Sequence, residues 1–211
     1  MSKFNDYNIV YIVVEDMPNN GDPWQNEVFQ RNAIMRGLRN AEDWGGDIII
    51  ISDCDEIPRK EVVESFMWTQ FGDGKDFAAL KMDMYSYYLN CVQGYQSWDR
   101  CRIMRRDYLE GKSPNEVRNS GYVHEYENAG WHFSYMGGVE KIQEKLNSFS
   151  HQEVNTPLLN NEEVLKYKLE KGQSLWSSEP DDLWEFVEID HTFPQYLGEN
   201  QDQFKHMIKQ L

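Results

Sequence analysis

Residues 9–14 (IVYIVV) form an unbroken apolar run, rich in β-branched side chains and too short for a helix. Such a run predicts a strand buried on both faces. After a polar loop, Asp22 stands where a helix N-cap belongs, with Pro23 at the first helical position and Gln25 three residues past the cap. Trp24, Val28, Met35 and Leu38 then recur at helical spacing and predict one inward face. Gly45 and Gly46 end this region, and residues 47–51 (DIIII) predict a second buried strand. Strand, helix and strand in that order predict a right-handed βαβ unit in a parallel sheet. Pro58 opens a further helix, with Val62, Val63, Phe66 and Met67 inward.

Farther on, residues 77–92 alternate with period two and predict one or two strands, and residues 100–105 predict another. Residues 115–128 are polar and read as a loop. Val139, Ile142, Leu146 and Phe149 keep helical spacing, as do Val164, Leu165 and Leu169 in a helix closed by Gly172. Phe204, Met207, Ile208 and Leu211 predict a short amphipathic helix at the end. No repeat or low-complexity linker divides the 211 residues, which suits one domain, 1–211, of the α/β class.

Charge narrows the possible partners. With 36 acids against 21 bases the formal net charge is −15, a field that repels nucleic acid and anionic lipid surfaces. An acidic protein that holds a nucleotide diphosphate is expected to bring a cation with it. The odd set of cysteines, Cys54, Cys91 and Cys101, contains no C-x-x-C pair and suits a reducing compartment. Neither a signal peptide nor a transmembrane segment is apparent, so the expected location is cytoplasmic.

The chemistry concentrates after the isoleucines, in SDCDEIP (52–58). Ligands of parallel α/β sheets sit beyond the carboxyl ends of strands. Asp53 and Asp55, two residues apart at that place, can both reach one hard divalent cation. An EF-hand starting at Asp53 would need glycine at its sixth position, where Pro58 stands. A haloacid-dehalogenase-like phosphatase, with Asp53 as nucleophile, stays open as an alternative.

At this point a family resemblance becomes specific. SDCDEIP resembles the S-D-x-D-E-I-P signature, a D-x-D motif, of glycosyltransferase family 17, the β-1,4-mannosyl-glycoprotein 4-β-N-acetylglucosaminyltransferase family. DPWQNEVFQRNAI (22–34) is similar to the segment before that signature, and YSYYLNC (85–91) with Trp98 to the aromatic strand after it. GWHFSYMGGVEKIQEKLNSFSHQEVN (130–155) resembles the family's G-W-H-x-S segment, and FPQYLGEN (193–200) its closing motif. Family members usually carry a further N-terminal part ahead of the point matching Phe4. The expected fold is therefore GT-A-like (Rossmann-like), a mostly parallel sheet flanked by helices, in an N-terminally truncated form.

The resemblance implies an inverting N-acetylglucosaminyltransferase that moves a sugar from UDP-N-acetylglucosamine to a glycan hydroxyl with Mn²⁺ or Mg²⁺. Asp55 is the expected direct metal ligand. Asp53 would bind through water or touch the ribose, Glu56 would fix the turn, and His132 or His151 would complete the metal shell. Gln30, Arg31 and Asn32, with Asp53, are candidates for contacts to the UDP-sugar. Glu125, Glu153 and Asp83 are candidates for the general base, and Trp98, Trp131 and Tyr88 for stacking on sugars. A non-catalytic glycan-binding remnant is the remaining alternative.

Overall fold

The computed structural model describes residues 7, 9–18, 21–40, 48–69, 76–121, 124–177, 179 and 183–211. In chain order the elements begin with α1 (Pro23–Asn32), α2 (Ile34–Asn40), β1 (Ile48–Ile51), β2 (Glu56–Pro58) and α3 (Lys60–Trp68). A long hairpin, β3 (Phe77–Ser86) and β4 (Cys91–Arg105), is followed by α4 (Arg106–Leu109) and α5 (Pro114–Asn119). Then come β5 (Glu125–Tyr126), β6 (Gly130–Ser134), α6 (Gly138–Ser148), α7 (Glu162–Lys171), β7 (Glu185–Phe186), α8 (Gln195–Glu199) and α9 (Gln201–Phe204).

The strands make one seven-stranded sheet with the path β1-β4-β3-β6-β2, while β5 pairs with β3 and β7 with β4. Helices flank it, an α/β fold compatible with a GT-A-like domain. Its strand directions are mixed. Only β3 with β5 and β3 with β6 run parallel, and β1–β4, β3–β4, β2–β6 and β4–β7 are antiparallel. The expectation of a mostly parallel sheet overestimates its parallel part, because the hairpin β3–β4 supplies the longest ladder.

Residues 9–14 correct the reading more sharply. They join no strand, and Ile9, Val10, Tyr11 and Val13 are exposed. β-branched composition favours a strand only where neighbours complete the ladder, and among the described residues none does so here. Val10 and Ile12 lie against Gly37 of α2, and Asp16 accepts two hydrogen bonds from Arg36 at 2.7 and 2.9 Å. The βαβ unit is therefore not formed by this segment. Gly45, Gly46 and Asp47 lie outside the described residues.

Elsewhere the local signals work as physical chemistry requires. Asp22 caps α1 through its carboxylate, which accepts from the Trp24 amide, and Pro23 opens the helix. Gly172 closes α7 in the left-handed region at φ 66°. The isoleucines of β1 divide between the faces of the sheet. Ile49 and Ile51 pack with Phe77, Met104 and Val117, whereas Ile48 joins Phe66, Leu80 and Ile103. Trp24, Val28 and Met67 were expected inward and are exposed. The predicted loop 115–128 contains α5 and β5; a capping box at Ser113 and Glu116, with Pro114 at the first turn, starts α5. The C-terminal helix is shorter than its pattern, ending at Phe204 before a 3₁₀ turn, and Leu211 is exposed.

On β6 alternate side chains leave the sheet in opposite directions. Trp131 and Phe133 join Tyr85, Phe193 and Leu197 in an apolar cluster, while His132 and Ser134 face a large cleft. Cys91 and Cys101 are buried free thiols, and burial pushes Cys91 up to about 12. Among the described residues no helix is long and apolar enough to cross a membrane.

Gly130 explains its own place at the start of β6. A Cβ there would meet the Ile57 carbonyl oxygen at 2.3 Å, a backbone atom that cannot step aside. Gly130→Ala should therefore push β2 off β6 and destabilise the fold by about 1–3 kcal/mol, as overpacked interiors do. Urea unfolding measures this, and an unchanged midpoint would show that β2 moves freely.

Candidate active site

Beyond Ile51 the chain turns back on itself, with the Glu56 amide donating to the Asp53 carbonyl at 3.1 Å. The Glu56 side chain is fully buried and takes four hydrogen bonds. Its Oε2 accepts from the Asp53 amide at 2.9 Å and from Arg118 Nη1 at 3.0 Å. Its Oε1 accepts from Trp98 Nε1 at 2.5 Å and from Arg118 Nη2 at 2.6 Å. A carboxylate has about four acceptor positions, so Glu56 is saturated and has none left for a metal or substrate. It fixes the turn.

Asp53 and Asp55 leave that turn into the cleft in different company. Asp53 Oδ2 accepts from Arg118 Nη2 at 2.5 Å, and Arg31 lies 3.7 Å from its other oxygen. Burial raises the Asp53 carboxyl above its ordinary value, aided by Glu56 and opposed by Arg118. Burial also works to raise Asp55, but His132 at 3.6 Å and Lys145 at 3.5 Å outweigh it and hold that carboxyl below its usual range. Lys145 also donates to Ser134 at 3.0 Å. His132 lies against Trp98, ring centroids 4.5 Å apart, and its buried Nδ1 has no partner among the described residues.

The cleft in front of this turn holds about 1000 Å³. Arg31, Arg100, Arg118 and Lys145 line it against the carboxylates of Glu27, Asp53 and Asp55. Among the described residues, four cations against three anions is far from the −15 of the whole chain. Local placement, not net charge, sets the field in a cleft. Such a lining suits a diphosphate.

Of the donor candidates, Gln30, Arg31 and Asp53 line this cleft. Asn32 is turned to α5, where its side-chain Oδ1 accepts from the Asn115 backbone amide at 3.1 Å. The base candidates scatter. Asp83 is in register with Trp131, on the face away from His132, and its neighbour is Arg59 at 3.8 Å. Glu125 pairs with Lys81 at 3.3 Å, outside the cleft lining. Glu153 is exposed beside the cleft and bonds His151 Nδ1 at 2.6 Å; His151 itself lines the cleft, edge-on to Trp24. Trp98 lines the cleft, Trp131 packs behind the sheet under Arg59, and Tyr88 rests against Phe186.

Glu27, Arg100, Arg118, Lys145, Tyr135 and Trp176 also line the cleft, and none is marked by local spacing. The only hint for Arg118 lies in the capping pattern at Ser113 to Glu116, which announces a helix where polarity suggests a loop.

The sequence profile of glycosyltransferase family 17 matches residues 2–209. The chain belongs to glycosyltransferase family 17. Neither a curated protein nor a solved structure matches it. As a family 17 glycosyltransferase it uses a sugar donor and a glycan acceptor, and the phosphatase and remnant readings fall away.

Removing one partner of a buried ion pair strands the other. Arg118→Met in this family 17 chain should cost about 3–5 kcal/mol of stability, mostly from the Glu56 charge left unpaired. The check is the urea midpoint. A change below about 1 kcal/mol, the value of a surface pair, would mean that Glu56 and Arg118 do not hold the turn.

Proposed function

We propose that this glycosyltransferase transfers N-acetylglucosamine from UDP-N-acetylglucosamine to a glycan hydroxyl, with inversion at the anomeric carbon. The observation behind this reading is the Asp53–Asp55 turn opening into a cleft lined by four cationic side chains. Family membership supports a nucleotide-sugar donor. The identity of the sugar and the stereochemistry rest on the motif resemblance.

Among the described residues, no group of three or more His, Cys, Asp and Glu side chains is arranged to hold a metal unaided. A nucleotide-bound Mg²⁺ or Mn²⁺ asks for less, since one or two carboxylates suffice when phosphates and waters complete the shell. Asp55 fits that need. Its side chain lines the cleft, where Lys145 donates to one oxygen in a long hydrogen bond of 3.5 Å and His132 stands 3.6 Å from the other. Asp53, already bonded to Arg118, is assigned to support through water or to the ribose. A histidine that ligates a metal normally donates its other ring N–H to a partner. The orphan Nδ1 of His132 therefore favours a role in holding Asp55 over direct ligation. A divalent ion bound at Asp55 would neutralise charge that builds on the leaving diphosphate.

The chain's own residues do the rest. Arg31, Arg100 and Lys145 hold the phosphates, with Arg31 oriented by Glu27 at 2.9 Å and Asn115 at 3.0 Å and Lys145 by Ser134 at 3.0 Å before the donor arrives. In an inverting transfer the acceptor oxygen attacks the anomeric carbon from the face opposite the departing UDP, and a base takes its proton. We assign that base to His151, whose Nδ1 is held by Glu153, leaving the other ring nitrogen for the incoming proton.

UDP release from UDP-N-acetylglucosamine, followed against Mn²⁺ concentration, tests this reading. Wild type should turn over only with metal, and Asp55→Asn should lose about 10²-fold or more, the scale of a lost charge-stabilising group. Metal-independent turnover, or an Asp55→Asn enzyme of wild-type rate, would refute it. His151→Gln should lower kcat while leaving UDP affinity intact; equal losses in both would remove His151 as the base.

A further inference from the structure

A second pocket, about 200 Å³, opens beside the large cleft and shares Met84, Tyr135 and Trp176 with it. It is smaller than the roughly 300–1000 Å³ of drug-sized sites, so it suits one ring rather than a chain of sugars. Among the described residues its lining contains no charged side chain. Phosphates and acidic sugars find no counter-charge there, whereas the neighbouring cleft is rich in arginine.

The walls carry polar groups, one of them buried without a partner among the described residues. Trp184 is buried, and its indole Nε1–H has no acceptor among the described residues. Gln93 and Ser86, both largely buried, offer the pocket further polar side chains. An unpaired buried donor or acceptor is unfavourable, and a polyhydroxylated ligand supplies both complements. At the mouth stands Trp176, half exposed, with Tyr135 edge-on to it at 5.9 Å. Aromatic faces of this kind cover the C–H faces of sugars. Tyr87 and Tyr135 also line the pocket, and both hold positive φ, 70° and 56°, in the left-handed region that side chains other than glycine rarely enter. Strained backbone of this kind collects at binding and catalytic sites.

We propose that this pocket is the acceptor subsite, seating one uncharged pyranose of the acceptor glycan, with Gln93 and Ser86 reading its hydroxyls and Trp176 covering a face. The inference rests on the proposed donor cleft, which has room for the nucleotide sugar by itself and leaves the neutral side pocket to the second substrate.

Saturation-transfer NMR tests it with methyl N-acetyl-β-glucosaminide, methyl α-mannoside and methyl β-galactoside as probes, each in the presence of UDP and Mn²⁺. At least one should bind, and Gln93→Leu and Trp176→Ala should each weaken it roughly tenfold, the worth of one good contact. UDP affinity should stay at the wild-type value in Gln93→Leu, since Gln93 lines the side pocket and not the cleft. No binding of any probe to a wild type that binds UDP would overturn the subsite, as would binding that neither variant alters. Displacement of the bound probe by UDP-N-acetylglucosamine but not by UDP would give the pocket to the donor's sugar and overturn the acceptor assignment. Probe binding by a wild type that fails to bind UDP would uphold the sugar subsite and remove the donor reading instead. Trp176 is at the surface and Gln93→Leu conserves volume, so both variants are expected to fold, and their urea midpoints report whether they do.

Discussion

The buried pair of Glu56 and Arg118 holds together three parts of the chain that are distant in sequence. Glu56 ends the acidic turn, Arg118 comes from α5, and Trp98 on β4 donates to the same carboxylate. Two buried charges carry a desolvation cost that only close, complete hydrogen bonding offsets. Here the bonding is complete, with four donors on one carboxylate and Arg118 extending to Asp53 and the Arg100 carbonyl. This pair adds little net stability compared with an apolar pair of the same shape. What it supplies is a fixed geometry for the two aspartates at the cleft.

From that geometry follows the division of work inside the cleft. Asp53 is drawn toward arginine, while Asp55 accepts only a long hydrogen bond from Lys145 at 3.5 Å and has His132 at 3.6 Å. The sheet separates these groups from the rest of the acidic chain. One face of β6 presents His132 and Ser134 to the cleft, and the other packs Trp131 and Phe133 into the core. A glycine at the start of that strand lets β2 approach closely enough to bring Glu56 into register with His132.

Much of this was legible in the sequence. Four isoleucines followed by SDCDEIP announced a strand and an acidic turn, and both exist, but the strand is an edge strand in which only Ile51 is fully buried and Ile50 is exposed. Residues 9–14 carried an equally strong apolar pattern and misled, since strand character depends on neighbours that composition does not reveal. The face on which Asp83 stands, away from His132 and beside Arg59, was not legible. The strand of Asp83 carries irregularities between Leu80 and Met82 and between Asp83 and Met84, and a one-residue shift sends every side chain to the other face. Arg118 and Lys145 were invisible because each earns its place through contacts with residues far along the chain, Glu56 and Asp55.

The central claim is that Glu56 sets the position of the aspartates rather than merely supporting the fold. Calorimetric titration of UDP with Mn²⁺ into Glu56→Gln, well below its unfolding temperature, tests it most directly. The account predicts a folded protein whose UDP affinity falls by roughly tenfold or more, as displaced charge-assisted contacts require. A folded Glu56→Gln protein that binds UDP with wild-type affinity and metal dependence would contradict it.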